Sequence, residues 1–231
     1  MTGFVLKIIA ALAMLIDHAA IMLFDDLIWM RAIGRLAFPI FAYLISEGFI
    51  YTRDRFAYFK RLCLLGLLCQ LAYALEGESF YMGVLLVFSY SIILCELVDR
   101  ARKDEAGRWK WLGLFAAAVT AYFVFAHFFT VDYGPFGVLL PVLPTLFRDK
   151  GRKFAAFSLG VAAVYLWSAI ELKFGGEVCA FAALPLIWFY NGKPGKRRYK
   201  SFFYVFYPLH LALLYLVGVM MGKYSLPFNL S

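Results

Sequence analysis

Asp17 and His18 stand side by side in LKIIAALAMLIDHAAIMLF, residues 6–24, a run apolar enough to lie in hydrocarbon. An ionisable group there costs several kcal/mol, so its presence points to a task. An imidazole gains or loses a proton near neutral pH, which suits a general base or a nucleophile. A second one, His210, follows Tyr207 by three residues in FFYVFYPLHLALL, residues 202–214, and that spacing puts both on one helix face. Pro208 between them frees backbone bonding, which is tolerated where a helix lines a cavity. Arg35 lies near the start of IGRLAFPIFAYLISEGFIYTR, and Glu47 lies further along the same stretch.

Neighbouring residues on a helix point about 100° apart, so Asp17 and His18 cannot face one target equally. The simplest arrangement pairs Asp17 with Arg35 across two helices and leaves His18 facing an internal cavity. A purely structural clamp with a hydrogen-bonded His beside it uses the same residues, although an apolar pair would hold two helices with less desolvation. Glu47 is expected to meet Arg53 or Lys60, either as a snorkelling carboxylate or as part of a site. His127, Asp132 and Tyr133, like Glu96 and Glu171, fall where interfacial residues belong.

The elements that must position these groups follow from composition. Of 231 residues, 64% are hydrophobic and 19% aromatic, and such a chain cannot make a soluble surface. Its formal net charge of +8 is spread over short loops rather than one face, which argues against nucleic acid. Cys63, Cys69, Cys95 and Cys179 all lie in apolar segments without metal-ligand spacing and read as core thiols. Windows of roughly 20 apolar residues, the length of a transmembrane helix, fall at about 4–24, 33–51, 61–76, 79–98, 110–129, 134–147, 153–172, 177–190 and 202–221. The sixth is short and carries Pro141 and Pro144, so a kinked or partial span is expected. The predicted fold is an all-α, polytopic transmembrane helix bundle of about nine spans, one integral-membrane domain over 1–231. The first segment is too long for a signal-peptide core and is expected to stay in the mature chain.

Loops after the second, fourth, sixth and eighth segments read TRDRFAYFKR, DRARKDEAGRWK, FRDKGRK and NGKPGKRRYK, and they hold most of the 23 Lys and Arg. The intervening loops are acidic. This alternation places the basic loops in the cytoplasm, with the N-terminus inside and the C-terminus outside. His18 then sits about 21 Å along its helix, in the outer half of the membrane.

Three functions fit these groups. The ionisable side chains line a proton or ion path in a transporter, although no inverted repeat or matched pair of broken helices supports it. Alternatively, the intramembrane His is a base or nucleophile in a tunnel, with cytoplasmic cations holding an anionic donor. The third is a structural or assembly subunit without chemistry.

The Asp-His pair, IGRLAFPIFAYLISEGFIYTRDRFAYFKRLCLLGLLCQ, DYGPFGVLL and FYVFYPLHLALLYL together resemble the TraX family over nearly the whole chain and in order. That family is named for acetylation of a conjugative pilin N-terminus. It is similar, more distantly, to membrane acyltransferases that include heparan-α-glucosaminide N-acetyltransferase. The resemblance implies acetyl-CoA as cytosolic donor, and an amine or hydroxyl acceptor at or beyond a bacterial cytoplasmic (inner) membrane: a pilin, peptide or glycan. It implies His18 as the catalytic residue with Asp17 and Arg35 supporting it, and Glu47, Tyr207 and His210 along the acyl tunnel. Arg35 or the Tyr207 hydroxyl would steady the oxyanion. The donor's phosphates would suit Arg53, Arg55, Lys60, Arg61, Arg197 and Lys200, cations that topology alone also explains.

Overall fold

The structure, a computed structural model, describes residues 1–75, 81–171, 175–195 and 202–224. Their regular elements are helices apart from two strands of two residues each. Among the described residues five stretches are long and apolar enough to cross a membrane: Gly3–Leu23, Ile28–Tyr51, Arg108–Phe128, Lys150–Ile170 and Phe203–Met220. The chain divides into two compact units, Met1–Phe41 with Gly175–Ser231, and Ala42–Phe174.

In the first unit α1 (Gly3–Leu23) starts behind Thr2, whose hydroxyl accepts from Val5 N–H at 3.4 Å. Ala10, Ala11, Ala13 and Ala20 are buried along it, small residues that let neighbouring helices come close where lipid offers no hydrophobic drive. Its partners are α2 (Ile28–Gly34) and the last helix, α11 (Phe202–Met220). A 3-10 segment, Gly175–Ala182, and α10 (Ala183–Trp188) complete this unit. The window at 177–190 is thus two short pieces rather than one long helix.

The ends of α1 are tied to distant chain. The Met1 ammonium donates to Phe189 O at 2.6 Å and Gly3 N–H to Lys193 O at 2.8 Å. At the far end Lys223 bonds the Asp25 carboxylate at 2.6 Å and the Tyr224 hydroxyl donates to Met22 O at 3.0 Å. Phe4 meets Phe203 at the first end. Helices α1 and α11 therefore run parallel, and the stretch leading into NGKPGKRRYK shares the end where the chain starts.

The helix α3 (Ala37–Tyr51) leads from the first unit into the second. There α4 (Arg55–Leu75), α5 (Val84–Lys103), α6 (Arg108–Phe128) and α9 (Lys150–Glu171) are the long elements. The strands β1 (Tyr81–Met82) and β2 (Thr130–Val131) pair in parallel, Tyr81 with Thr130 and Met82 with Val131. Asp132 closes that corner by accepting from the Tyr81 hydroxyl and from Val84 N–H. Val87, Phe88, Ile92, Leu94 and Cys95 form the buried face of α5, and Phe157 that of α9. By contrast α6 buries only Tyr122, as expected of a helix apolar all round that faces lipid.

The prolines of the sixth window act as expected. Residues 134–147 form α7 (Gly134–Gly137) and α8 (Val142–Thr145), two short helices with Pro141 between them. Gly134 has φ +60°, and a Cβ there would come within 2.5 Å of the Trp167 indole nitrogen, so only glycine fits.

Candidate active site

The charged and imidazole side chains of the first unit gather on α1, α2 and α11. His210 is 3% exposed and lies in the turn after Pro208. Its Nδ1 is 2.8 Å from Phe206 O, and a carbonyl can only accept, so Nδ1 carries the proton. A neutral imidazole protonated there has a lone pair on Nε2. That Nε2 lies 2.7 Å from His18 Nδ1, so His18 Nδ1–H is the donor. The chain of bonds then leaves His18 Nε2 with its lone pair exposed, and no hydrogen bond occupies it among the described residues. The two rings lie 4.9 Å apart between centroids. Tyr207 stands edge-on to both, 6.4 Å from His18 and 5.6 Å from His210.

Asp17 faces the other way, as the 100° step requires. The expected Asp17–Arg35 pairing is widened to a second arginine: Arg31 Nη1 lies 3.4 Å from Asp17 Oδ1 and also reaches Asp26 at 3.6 Å. Arg31 precedes Arg35 by four residues, one turn, and so shares its face. Arg35 still acts on the Asp17 carboxylate electrostatically. The four-residue spacing of the two arginines in RAIGR is the sequence signal for this shared role. Gly34 lets the helices meet here: a Cβ at Gly34 would lie 2.3 Å from Asp17 Cβ.

Of the other expected site residues, Glu47, Arg53, Arg55, Lys60 and Arg61 belong to the second unit. Glu47, 6% exposed, pairs with neither Arg53 nor Lys60 but with Lys153 Nζ at 3.1 Å. Lys153 is the last residue of the basic stretch FRDKGRK. Arg55 is held by Asp99 and by Glu96 at 3.1 Å, and it lies 4.2 Å from the Phe49 ring centroid. Its charge is thus spent within the fold. Arg53, Lys60 and Arg61 are exposed and have no ion pair among the described residues. Arg197 and Lys200 lie outside the described residues.

The sequence of the chain that carries this cluster matches the family model named TraX protein over residues 2–218. The chain belongs to the TraX family. It is 28% identical to a protein named Probable fimbrial assembly protein FimC, serogroup H1, of Dichelobacter nodosus, over 92% of this chain and 94% of that one. It is 28% identical to Protein TraX of Escherichia coli, over 91% of this chain and 84% of the relative. No solved structure matches the chain significantly. The Asp17-His18 pair and the FYPLH stretch of this chain lie in one cluster, brought together across 192 positions.

Proposed function

We propose that the chain is a membrane-embedded acetyltransferase. It moves an acetyl group from cytosolic acetyl-CoA to an amine or hydroxyl at or beyond the bacterial cytoplasmic membrane, in pilus assembly or conjugation. The acceptor is a pilin N-terminus or a cell-surface glycan or lipid. The Phe206 O to His210 to His18 relay carries this reading, because it presents a lone pair on His18 Nε2 inside an apolar helix cluster. The printed names of the two relatives supply the pilus context.

In the reaction His18 Nε2 takes the proton from the acceptor N–H or O–H as that atom bonds to the thioester carbonyl carbon. The positive charge on the His18 ring is shared through Nδ1–H with His210 Nε2. Arg35 or the Tyr207 hydroxyl steadies the carbonyl oxygen as it becomes anionic. The C–S bond then breaks, and His18 returns its proton to the departing sulfur. Asp17, held by Arg31, keeps α1 and α2 in register and is a positioning residue. Arg53, Lys60 and Arg61 suit the donor's phosphates, being exposed and unneutralised. Arg55 does not, since Asp99 and Glu96 already hold it. Nine crossings with the N-terminus inside complete the proposal, supported by the alternation of basic loops and the parallel course of α1 and α11.

The test is acetyl-CoA turnover by the purified full chain, including slow hydrolysis without acceptor. The expected result is release of CoA that falls about 10²–10⁴-fold in His18→Ala, the range a positioned base contributes, with donor binding kept. Ping-pong kinetics would show instead that His18 Nε2 takes the acetyl group itself. A well-folded chain that binds no acetyl-CoA overturns the donor and with it the reaction.

A further inference from the structure

A groove of about 540 Å³ lies in the second unit between α5, α6 and the segment of α8. Its size falls within the roughly 300–1,000 Å³ of small-ligand pockets. Leu112, Phe115 and Val119 line one wall and Leu143 the other, and among the described residues Arg102 and Arg108 are the charged ones lining it. The groove follows α6 from Arg108 to Val119, about 16 Å at 1.5 Å per residue. That is close to the hydrocarbon depth of one leaflet, about half of 30 Å.

The two arginines mark where the groove meets water. Arg108 begins α6 directly after the charged loop, and its neighbour Trp109 is 81% exposed, as an interfacial anchor should be. Arg102 is held in place by Thr145 O at 2.6 Å and Leu146 O at 2.5 Å, which satisfies the last carbonyls of α8 but leaves its charge intact. Among the described residues neither guanidinium has a carboxylate within ion-pair distance. Their neighbours differ: Arg100 is paired with Glu96 and Lys103 with Asp99. The nearby Asp104 accepts instead from Gly107 N–H and Trp111 Nε1–H.

We propose that this groove is a binding site for one anionic phospholipid, an acyl chain lying along Leu112, Phe115, Val119 and Leu143 and the headgroup phosphate on Arg102 and Arg108. Two uncompensated cations at the mouth of an apolar slot one leaflet deep call for a ligand with a negative head and a hydrocarbon tail. A zwitterionic lipid would fill the slot but leave the cations unanswered. The site is independent of the proposed chemistry on α1 and α11.

Native mass spectrometry of the full chain, released from detergent with phosphatidylglycerol or phosphatidylcholine, tests this. The wild type is expected to retain one phosphatidylglycerol with about five- to thirtyfold preference, the scale of one or two basic contacts near a membrane surface. Arg108→Gln should lose most of that preference; Arg108 makes no side-chain hydrogen bond among the described residues, so its loss leaves the fold intact. Val119→Trp, which fills the slot, should lose retention of both lipids. Equal retention of the two lipids by wild type overturns the proposal, as does retention unchanged in both variants. Displacement of the lipid by glycerol phosphate alone would also overturn it, because the slot would then contribute nothing.

Discussion

His18 Nδ1 and His210 Nε2 are 2.7 Å apart, although 192 positions separate them in the chain. The bond works in one direction only, because Phe206 O fixes the proton on His210 Nδ1. His210 therefore decides which nitrogen of His18 is free. The Pro208 between Tyr207 and His210 stands in the same turn as this relay.

His210 is a positioning residue, and its variants separate that role from simple packing. His210→Leu removes the acceptor for His18 Nδ1–H and should lower kcat for CoA release about 10²-fold with KM for the donor unchanged. His210→Gln keeps an accepting oxygen and should recover much of that loss. A merely structural His210 would predict the opposite order, with leucine the better substitute in an apolar cluster. Steady-state kinetics on the two variants decides it.

Gly34→Ala should loosen the contact of α1 with α2. Its Cβ would overlap Asp17 Cβ, an atom with no freedom to swing aside, and overpacking of this kind costs about 1–3 kcal/mol. Asp17 would also be pushed from Arg31. A lower thermal unfolding midpoint in detergent, together with reduced turnover, is the expected outcome; an unchanged midpoint contradicts the close approach.

Glu47 and Lys153 form a pair with side chains 7% and 12% exposed. Glu47→Gln should destabilise the second unit by about 3–5 kcal/mol, because it strands the lysine charge away from water. Glu47→Gln with Lys153→Met should recover most of that stability, since both charges are gone. Denaturant unfolding of the single and double variants measures the coupling, and additive losses would show that the pair is not formed.

Asp104 lies outside the membrane segments, and hydrogen bonds from Trp111 Nε1–H and Gly107 N–H hold its carboxyl below the usual carboxylate range. A carboxylate lowered on folding stabilises the native loop above its unfolded pKa, and that contribution fades as pH falls through the lowered value. Trp111 fluorescence should therefore change on acidification in the wild type and lose that acid-side step in Asp104→Asn. An identical acid titration in both proteins would rule out the interaction.

Hydrophobic run lengths alone located the helices, since only a helix satisfies its own backbone bonds in hydrocarbon. Most of the described residues in the apolar windows are helical, and Pro141 stands at the break between α7 and α8. Residue chemistry alone also singled out Asp17, His18, Tyr207 and His210. What the sequence could not supply was partner choice. Arg31 and Arg35 share a helix face, so spacing allows either to meet Asp17, and only the folded structure brings Arg31 to ion-pair distance while Arg35 acts on the same carboxylate. Lys153 looked like one more loop cation until α9 carried it to Glu47. Likewise two histidines at opposite ends of the chain share no local pattern. Side-chain pairing at a few ångströms depends on how helices cross and rotate, which hydrophobicity constrains only to a face. The sequence by itself thus determined a helical membrane protein with reactive groups in its hydrocarbon, and the tertiary structure alone decided which of those groups touch.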